Sequence, residues 1–292
     1  MTDPAIDLRV RPPAGAFLGL SFFAPDGGLE TRLRQRGYTP PRSFVTRSIG
    51  AFFEELAEAG IDQAIVAARP GGRLGGVSNR EAAAVVSEHA GRLVGFIGQT
   101  SLDPVMAERD LDECVELGAI GVALEPGLAA PPRQADDQSL HGVYEMAASR
   151  QLPIFVTGGD SGPDTSFASP LGIERASARV PSGQFVAVHG GWPFVREMVA
   201  TALRRPNVWV MPDMYSAKFP GHHEYVEAAN GLLRDRMLFA TAYPAVNVVE
   251  YVRALRDDGL SPEAWQAIAV RNPARFLSGT PHASRARRGA LA

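Results

Sequence analysis

Two arginines, Arg9 and Arg11, stand two residues apart at the end of the first predicted strand, 6–11. Residues with this spacing on a strand project from the same face. If the strand belongs to a closed barrel, both guanidinium groups point inward near its mouth, where two buried like charges are unfavourable unless anions neutralise them. We therefore expect this end of the strand to face something negatively charged.

Two interpretations of this arginine pair remain open, and they can coexist. The first is a structural network in which Glu125, Asp213 or Asp164, all predicted near the same mouth, supply the negative charge. The second is substrate binding, because a planar guanidinium group can grip a carboxylate through two hydrogen bonds or stabilise an oxyanion. A small substrate that carries a carboxylate would satisfy both arginines.

His189 and Asp213 are the predicted catalytic residues. His189 follows the predicted strand 185–188 and precedes two glycines, so its side chain should point into the cleft and act as a general acid or base. A buried structural histidine is the alternative. Asp213 follows the predicted strand 208–211 and could orient the imidazole, act as the base itself or neutralise an arginine.

The candidate substrate-binding residues, besides the two arginines, are Glu125, Thr157, Tyr215, His222 and Tyr243. For Glu125 the favoured role is that of a counter-ion to an arginine, and the alternative is that of a second general acid or base. The two tyrosines could donate phenolic hydrogen bonds to a substrate, although tyrosines at a barrel rim more often serve packing. His222 should lie at a helix N-terminus that faces either solvent or the cleft.

Neither a metal nor an organic cofactor is expected. The adjacent residues His222 and His223 should diverge by about 100° on a helix, so their rings would rarely reach one ion. A mixed site built from His189, Asp213 and one of these histidines is the alternative. The glycine-rich segment 158–164 could bind an anion through its backbone amides, but it lacks the phosphate-loop and dinucleotide patterns.

The elements that must position these residues alternate between short apolar strands and amphipathic helices. This alternation predicts an α/β fold, a single (β/α)8 TIM barrel over residues 1–278. A long loop follows strand 1 from 12 to about 43, and an extra C-terminal helix begins at the Ser261 cap. Residues 279–292 are predicted to form a basic flexible tail. The eight predicted strands are 6–11, 61–68, 93–98, 120–124, 153–156, 185–188, 208–211 and 237–239.

Composition narrows the choice of partner and compartment. The chain has 292 residues and a net charge of −3, which argues against nucleic acid as the main partner. Its single cysteine, Cys114, cannot form an internal disulfide, and neither a signal peptide nor an apolar run of about 18 residues is recognisable. We expect a cytoplasmic protein that binds a small-molecule carboxylate, contacts no membrane and could form a homo-oligomer.

The order of the strand-end residues resembles the amidohydrolase-related family, which includes aminocarboxymuconate semialdehyde decarboxylase and several small lactonases. The markers are His189-Gly190-Gly191 after strand six, the segment 234–244 and the closing residues 272–277. The resemblance covers nearly the whole chain. It implies a barrel enzyme, either a hydrolase or a lyase, with its site at the carboxyl ends of the strands.

The chain departs from this family at most of the metal-ligand positions. Family members typically carry His-x-His on strand one, histidines that end strands five and six, and an aspartate on strand eight. The matching positions here are Arg9 and Arg11, Thr157, His189 and Ala242, so one histidine remains. Because an arginine stays protonated and has no lone pair to donate, the usual metal centre is not expected.

The residues and the resemblance together predict a metal-independent hydrolase of a small carboxylated lactone, ester or amide. Arg9 and Arg11 would hold the substrate anion and support oxyanion charge, while His189, with Asp213, would activate water. A lyase, either a decarboxylase or a hydratase, is the first alternative because the family contains such enzymes. A noncatalytic partner subunit of a heteromer is the second alternative.

Overall fold

Among residues 3–72, 74–159 and 162–280, which the computed structural model describes, seven parallel strands form a curled sheet. Each strand pairs with the next one along the chain, and the apolar side chains on both faces are buried, as expected for a parallel sheet covered by helices. The first seven predicted strands are confirmed, each within two residues at either end. The strands are β1 (Ile6–Val10), β2 (Gln63–Ala67), β3 (Leu93–Gln99), β4 (Gly121–Leu124), β5 (Ile154–Thr157), β6 (Phe185–Val188) and β7 (Val208–Met211).

The predicted eighth strand does not form as a regular strand, although residues 237–243, here called the closing segment, join the two edges of the sheet. Its backbone hydrogen-bonds to Val210 on β7 and to Leu8 on β1. The N–H of Thr241 instead donates to the carboxylate of Asp7 at 3.1 Å, and this side-chain contact interrupts a regular ladder. The result is an α/β barrel closed by isolated hydrogen bonds.

An irregularity in β1 turns both arginines toward the mouth of the barrel. The pairing of β1 with β2 shifts in register between Asp7 and Val10. Leu8 lies in the apolar cluster inside the barrel, whereas Val10 packs in the cluster between the sheet and the helices. The residues of β1 that face into the barrel are therefore even-numbered up to Leu8 and odd-numbered after it. Arg9 and Arg11 both reach the cavity at the mouth as a result.

Helices cover the outer face of the sheet, and local capping signals set where several of them begin. The side chains of Ser48, Ser78, Asp103 and Ser261 each accept a backbone N–H from the first helical turn. No helix in the described part of the chain is long and apolar enough to span a membrane. The helices are α1 (Leu29–Gln35), α2 (Arg42–Thr46), α3 (Ile49–Ala59), α4 (Asn79–Glu88), α5 (Pro104–Leu117), α6 (His141–Ser149), α7 (Pro170–Arg179), α8 (Val195–Arg204), α9 (His222–Asn230), α10 (Val248–Asp257), α11 (Pro262–Trp265), a π-helical stretch (Gln266–Arg271) and α12 (Asn272–Ser278).

The segment after β1, predicted as a long loop, is partly helical. Two short 3-10 helices, Gly15–Gly19 and Ser21–Phe23, precede α1. Buried apolar side chains such as Phe17 anchor the segment, and side chains from α1 line the cavity at the mouth of the barrel. The predicted basic tail, 279–292, lies outside the described residues except for its first two positions.

Candidate active site

A cavity of about 300 Å³ lies at the mouth of the barrel. In barrels of this class the loops after the strands build the active site at this end. Apolar side chains such as Phe22, Leu29 and Met214 form part of its wall. The charged and polar residues that line it are Arg9, Arg11, Arg32, Arg36, Arg69, Glu125, Thr157 and His189.

His189 and Asp213 form a buried pair at the ends of β6 and β7. The Asp213 Oδ1 atom lies 2.8 Å from His189 Nδ1 and also accepts the N–H of Met214 at 2.7 Å. Its Oδ2 atom accepts a hydrogen bond from Arg9 at 3.3 Å. When His189 Nδ1 donates to this carboxylate, the lone pair of the neutral ring is on Nε2. The imidazole, which lines the cavity, can then accept a proton there.

Glu125 serves as a counter-ion at the end of β4. Both of its oxygens are engaged by Arg69, at 3.2 Å and 3.1 Å, in a two-point contact. The guanidinium of Arg11 comes no closer than 3.8 Å to the same carboxylate. Glu125 therefore neutralises Arg69 more closely than it does Arg11, which agrees with the counter-ion interpretation of this residue.

Arg11 is the least satisfied charge in the cavity. Its side chain is almost fully buried, and its Nε atom has no hydrogen-bond partner within the described residues. Burial, followed by the positive charge of Arg9, lowers the pKa of Arg11 to about 9. Arg11 still carries its charge at neutral pH and has only the 3.8 Å contact with Glu125, so an anion in the cavity would supply the hydrogen-bond partner that Nε lacks.

Three of the six non-glycine residues with positive φ in the described part of the chain lie at the mouth of the barrel. His189, Asp213 and Ala242 have φ values of 66°, 42° and 56°, in the left-handed region that disfavours residues with a side chain. His189 and Asp213 follow strands β6 and β7, and Ala242 lies in the closing segment, so all three are at the mouth of the barrel. Such conformations cost on the order of 1–3 kcal/mol each and persist where the surrounding structure holds them, as commonly seen in active sites.

Tyr215 supports His189 from behind and does not line the cavity. Its fully buried ring meets the imidazole edge to face with the centroids 5.4 Å apart. The same tyrosine ring stacks on Trp192 with the centroids 4.8 Å apart. The predicted contact between Tyr215 and a substrate is therefore replaced by a contact that orients the imidazole.

Two predicted substrate-binding residues lie away from the cavity. The hydroxyl of Tyr243 is 2.8 Å from the hydroxyl of Ser43, in a buried network outside the barrel mouth. His222 pairs with Asp258 at 3.0 Å on the outer helical layer. Tyr243 was predicted to bind substrate because it stands near a strand end, but its side chain turns toward the helices. His222 faces Asp258 at the end of the next helix and not the cleft.

Three lining arginines were not found from the sequence: Arg32, Arg36 and Arg69. Arg69 lies two residues beyond the end of β2. Other candidates, such as Asp213, were chosen because they stand just after a strand, so the same criterion could have identified Arg69. The other two come from α1 and the residue that ends it, inside a segment predicted as a loop. Their direction depends on how that segment folds across the mouth.

The amidohydrolase family model matches residues 26–279. The chain belongs to the amidohydrolase family. No curated protein matches the sequence. The resemblance to this family is thereby confirmed. The match begins after β1, so it includes Glu125, His189 and Asp213 but not Arg9 and Arg11.

Solved structures agree with the fold. The chain is 35% identical to an uncharacterized TIM-barrel protein, Bb4693, from Bordetella bronchiseptica, with a TM-score of 0.89 over 94% of this chain and 98% of that one. A 5-carboxyvanillate decarboxylase from Sphingomonas paucimobilis is 16% identical, with a TM-score of 0.63 over 94% and 98%. A probable 2-pyrone-4,6-dicarboxylic acid hydrolase from Acinetobacter baumannii, with citric acid bound, is 12% identical, with a TM-score of 0.63 over 94% and 99%.

The side chains at the mouth do not fit the metal centre that the family pattern implies. Arg9 and Arg11 occupy two of its ligand positions, and a guanidinium group can only donate hydrogen bonds. Thr157 and Ala242 occupy two more, which leaves His189, whose ring is paired with a carboxylate. In the described ranges, no three histidine, cysteine or carboxylate side chains converge at this cavity.

Proposed function

We propose that this amidohydrolase hydrolyses a small lactone, ester or amide that carries two or more carboxylates, and that fixed arginines replace the metal ion. The observation that carries the proposal is the buried Arg11, which lacks a hydrogen-bond partner at Nε and lies in the same cavity as His189. A buried cation without a full set of acceptors is costly, and a substrate anion would remove that cost.

The balance of charge around the cavity favours a substrate with more than one negative group. Five arginines line the cavity, and the carboxylates that neutralise them are Glu125 and Asp213. Three positive charges remain when His189 is neutral. Arg32 is exposed, so water screens part of this excess, and a substrate with two carboxylates would match the remainder better than a monocarboxylate.

The geometry supports a sequence of proton transfers through His189. Its Nε2 atom accepts a proton from water as the water oxygen attacks the substrate carbonyl carbon, and Asp213 stabilises the imidazolium that forms. A guanidinium group at the mouth stabilises the oxyanion of the tetrahedral intermediate. When the carbon–oxygen or carbon–nitrogen bond breaks, His189 returns the proton to the leaving group.

The test uses protein stripped of metal with a chelator and a panel of carboxylated lactones and esters that includes 2-pyrone-4,6-dicarboxylate. Ring opening is followed by ultraviolet absorbance, and carbon dioxide release is measured in parallel. We expect ring opening by the wild type and a loss of about 10²–10⁴-fold in kcat for His189→Gln, with binding retained.

Release of carbon dioxide without hydrolysis would replace this proposal with a lyase, the alternative that the decarboxylase among the structural neighbours also suggests. Absence of turnover together with absence of thermal stabilisation by any carboxylate would contradict an enzyme with this cavity as its active site. That second result would instead favour a noncatalytic partner subunit.

A further inference from the structure

A second group of potential ligands lies outside the cavity, where the start of α9 meets the end of α10. His222 and His223 are the first two residues of α9, and Asp258 directly follows α10. One ligand atom from each of the three side chains lies within 4.8 Å of the others. The expectation that the adjacent histidines diverge is wrong here, because their ring centroids are 3.8 Å apart.

The hydrogen bond of His222 fixes which of its nitrogens is available. Its Nδ1 atom lies 2.6 Å from the carbonyl oxygen of Phe219, and a carbonyl can only accept, so Nδ1 carries the proton. In the neutral ring the lone pair is therefore on Nε2, which lies 3.0 Å from Asp258 Oδ2. Two acceptors at this distance repel each other unless a proton on Nε2, which makes the ring an imidazolium, or a metal ion lies between them.

This arrangement is the one that metal-binding histidines commonly show. Such a residue donates its other ring N–H to a carbonyl or carboxylate, which sets the tautomer and the orientation of the ring. For His222 the carbonyl of Phe219 does this, and Asp258 supplies a carboxylate ligand on the other side. The hydrogen bond from His222 to Phe219, which is not itself a proposed ligand, thus already sets the orientation of one ligand ring.

The separations suit a tetrahedral ion. Zinc bonds of about 2.0–2.2 Å to nitrogen and oxygen place neighbouring ligands roughly 3.4 Å apart. The two observed separations lie on either side of this value: 3.0 Å from His222 Nε2 to Asp258 Oδ2, and 3.9 Å from His223 Nδ1 to Asp258 Oδ1. The two histidines thus meet different oxygens of one carboxylate, and a rotation of that carboxylate would present a single oxygen to an ion between the rings. The side chain of His223 is 70% exposed, so an ion and a water ligand can reach the site from solvent.

We propose that His222 Nε2, His223 Nδ1 and Asp258 bind a divalent transition metal ion such as Zn²⁺, with water as a further ligand. The ion joins the N-terminus of α9 to the C-terminal end of α10 and stabilises their packing. None of the three residues lines the cavity, so this site is separate from the metal centre that the family pattern implies. The inference does not depend on the proposed hydrolase activity.

The test is titration of chelator-treated protein with Zn²⁺, followed by calorimetry and by the unfolding temperature. We expect one equivalent to bind to the wild type and to raise the unfolding temperature. His223→Ala is expected to weaken binding at least tenfold, and it should fold normally because the side chain is exposed. His141→Ala is the matched control, since His141 is a partly exposed histidine at the start of α6.

Substitution with Co²⁺ adds a spectroscopic check, because visible absorption of tetrahedral intensity should appear in the wild type and be absent in Asp258→Asn. Equal Zn²⁺ affinity in the wild type and His223→Ala would overturn the proposal. So would loss of the bound ion in His189→Gln with retention in His223→Ala, since that pattern would place the ion in the cavity.

Discussion

Arg11 lies close to the like charges of Arg9 and Arg69, while its nearest carboxylate, Glu125, is held by Arg69. This arrangement is unfavourable for folding and favourable for binding an anion. Sites that bind a charged ligand commonly sacrifice stability in this way, because the ligand completes a network that the protein leaves incomplete. A substitution that removes the charge of Arg11 should therefore raise the stability of the protein and weaken its binding of anions.

Replacing Arg11 with methionine is expected to raise the free energy of unfolding by about 1–2 kcal/mol in buffer without multivalent anions, because a buried charge is exchanged for an apolar side chain of similar length. The same substitution is expected to weaken the binding of benzene-1,3-dicarboxylate by roughly 10–100-fold, since it removes a charged hydrogen bond. Urea denaturation measures the first effect and calorimetry the second.

Arg34→Met is the matched control for this pair of effects. Arg34 lies on α1, its side chain is 63% exposed, and it pairs with Glu30 outside the cavity. It should leave the affinity for benzene-1,3-dicarboxylate unchanged. A destabilised Arg11→Met protein that still binds the dicarboxylate with wild-type affinity would mean that Arg11 serves the structure and does not bind the substrate.

At the scale of elements, a buried carboxyl group adds to the backbone hydrogen bonds that Leu8 and Arg11 donate to the closing segment. Asp7 accepts hydrogen bonds from the hydroxyl of Thr241 at 2.5 Å, from the N–H of Thr241 and from the N–H of Arg9. Burial nevertheless raises the pKa of Asp7 to about 7 from an ordinary 3.8. The folded protein therefore holds a proton that the unfolded chain releases between about pH 4 and 7.

The sign of the resulting pH dependence follows from this difference. The contribution of Asp7 to stability is complete below about pH 4 and is lost as the pH rises toward 7, by up to about 4 kcal/mol. Asp7→Asn should remove this slope, so the substitution is expected to be more harmful at pH 4.5 than at pH 7.5. Urea denaturation at the two pH values measures the difference.

The surface residue Asp103 supplies the control for Asp7. It caps α5, and asparagine is an equally good cap, so Asp103→Asn should change stability little and by a similar amount at both pH values. An Asp7→Asn protein whose loss of stability is the same at pH 4.5 and pH 7.5 would show that Asp7 is ionised in the folded state throughout this range.

A buried hydrogen-bond network that begins at Tyr243 attaches α2 and α3 to the closing segment. The Tyr243 hydroxyl meets Ser43, which in turn binds Glu55 through both its hydroxyl and its N–H. Tyr243→Phe removes one buried hydrogen bond and is expected to lower the free energy of unfolding by about 1 kcal/mol. Because the hydroxyl is away from the cavity, dicarboxylate affinity should not change; a tenfold loss of affinity would return Tyr243 to the binding site.

Local patterns in the sequence predict the elements well and their contacts poorly. Seven strands and caps such as Ser261 follow from short apolar runs and side chains that bind nearby N–H groups, which are properties of neighbouring residues. The missing eighth strand depends on Asp7, a residue more than 200 positions away from Thr241. The direction of Arg36 likewise depends on how α1 lies across the mouth, which no local spacing encodes.

Over the whole molecule, charge is distributed unevenly. The chain carries a net charge of −3, yet the cavity is lined by five arginines and one glutamate. This separation places positive charge at the mouth, where it would attract small anions without making the protein as a whole a binder of polyanions. His189 was predictable from its place after an apolar strand, whereas the strength of this field emerges only from the assembled barrel.

The claim that fixed arginines replace the family's metal ion is tested most directly by calorimetry of dicarboxylate binding with and without metal. The protein is His223→Ala, which removes the proposed outer site, and the ligand is benzene-1,3-dicarboxylate, a weak chelator. We predict the same dissociation constant for protein stripped with a chelator, its metal content checked by elemental analysis, and for protein resupplied with Zn²⁺ or Mn²⁺. Binding that appears only after a divalent metal is added would contradict the claim.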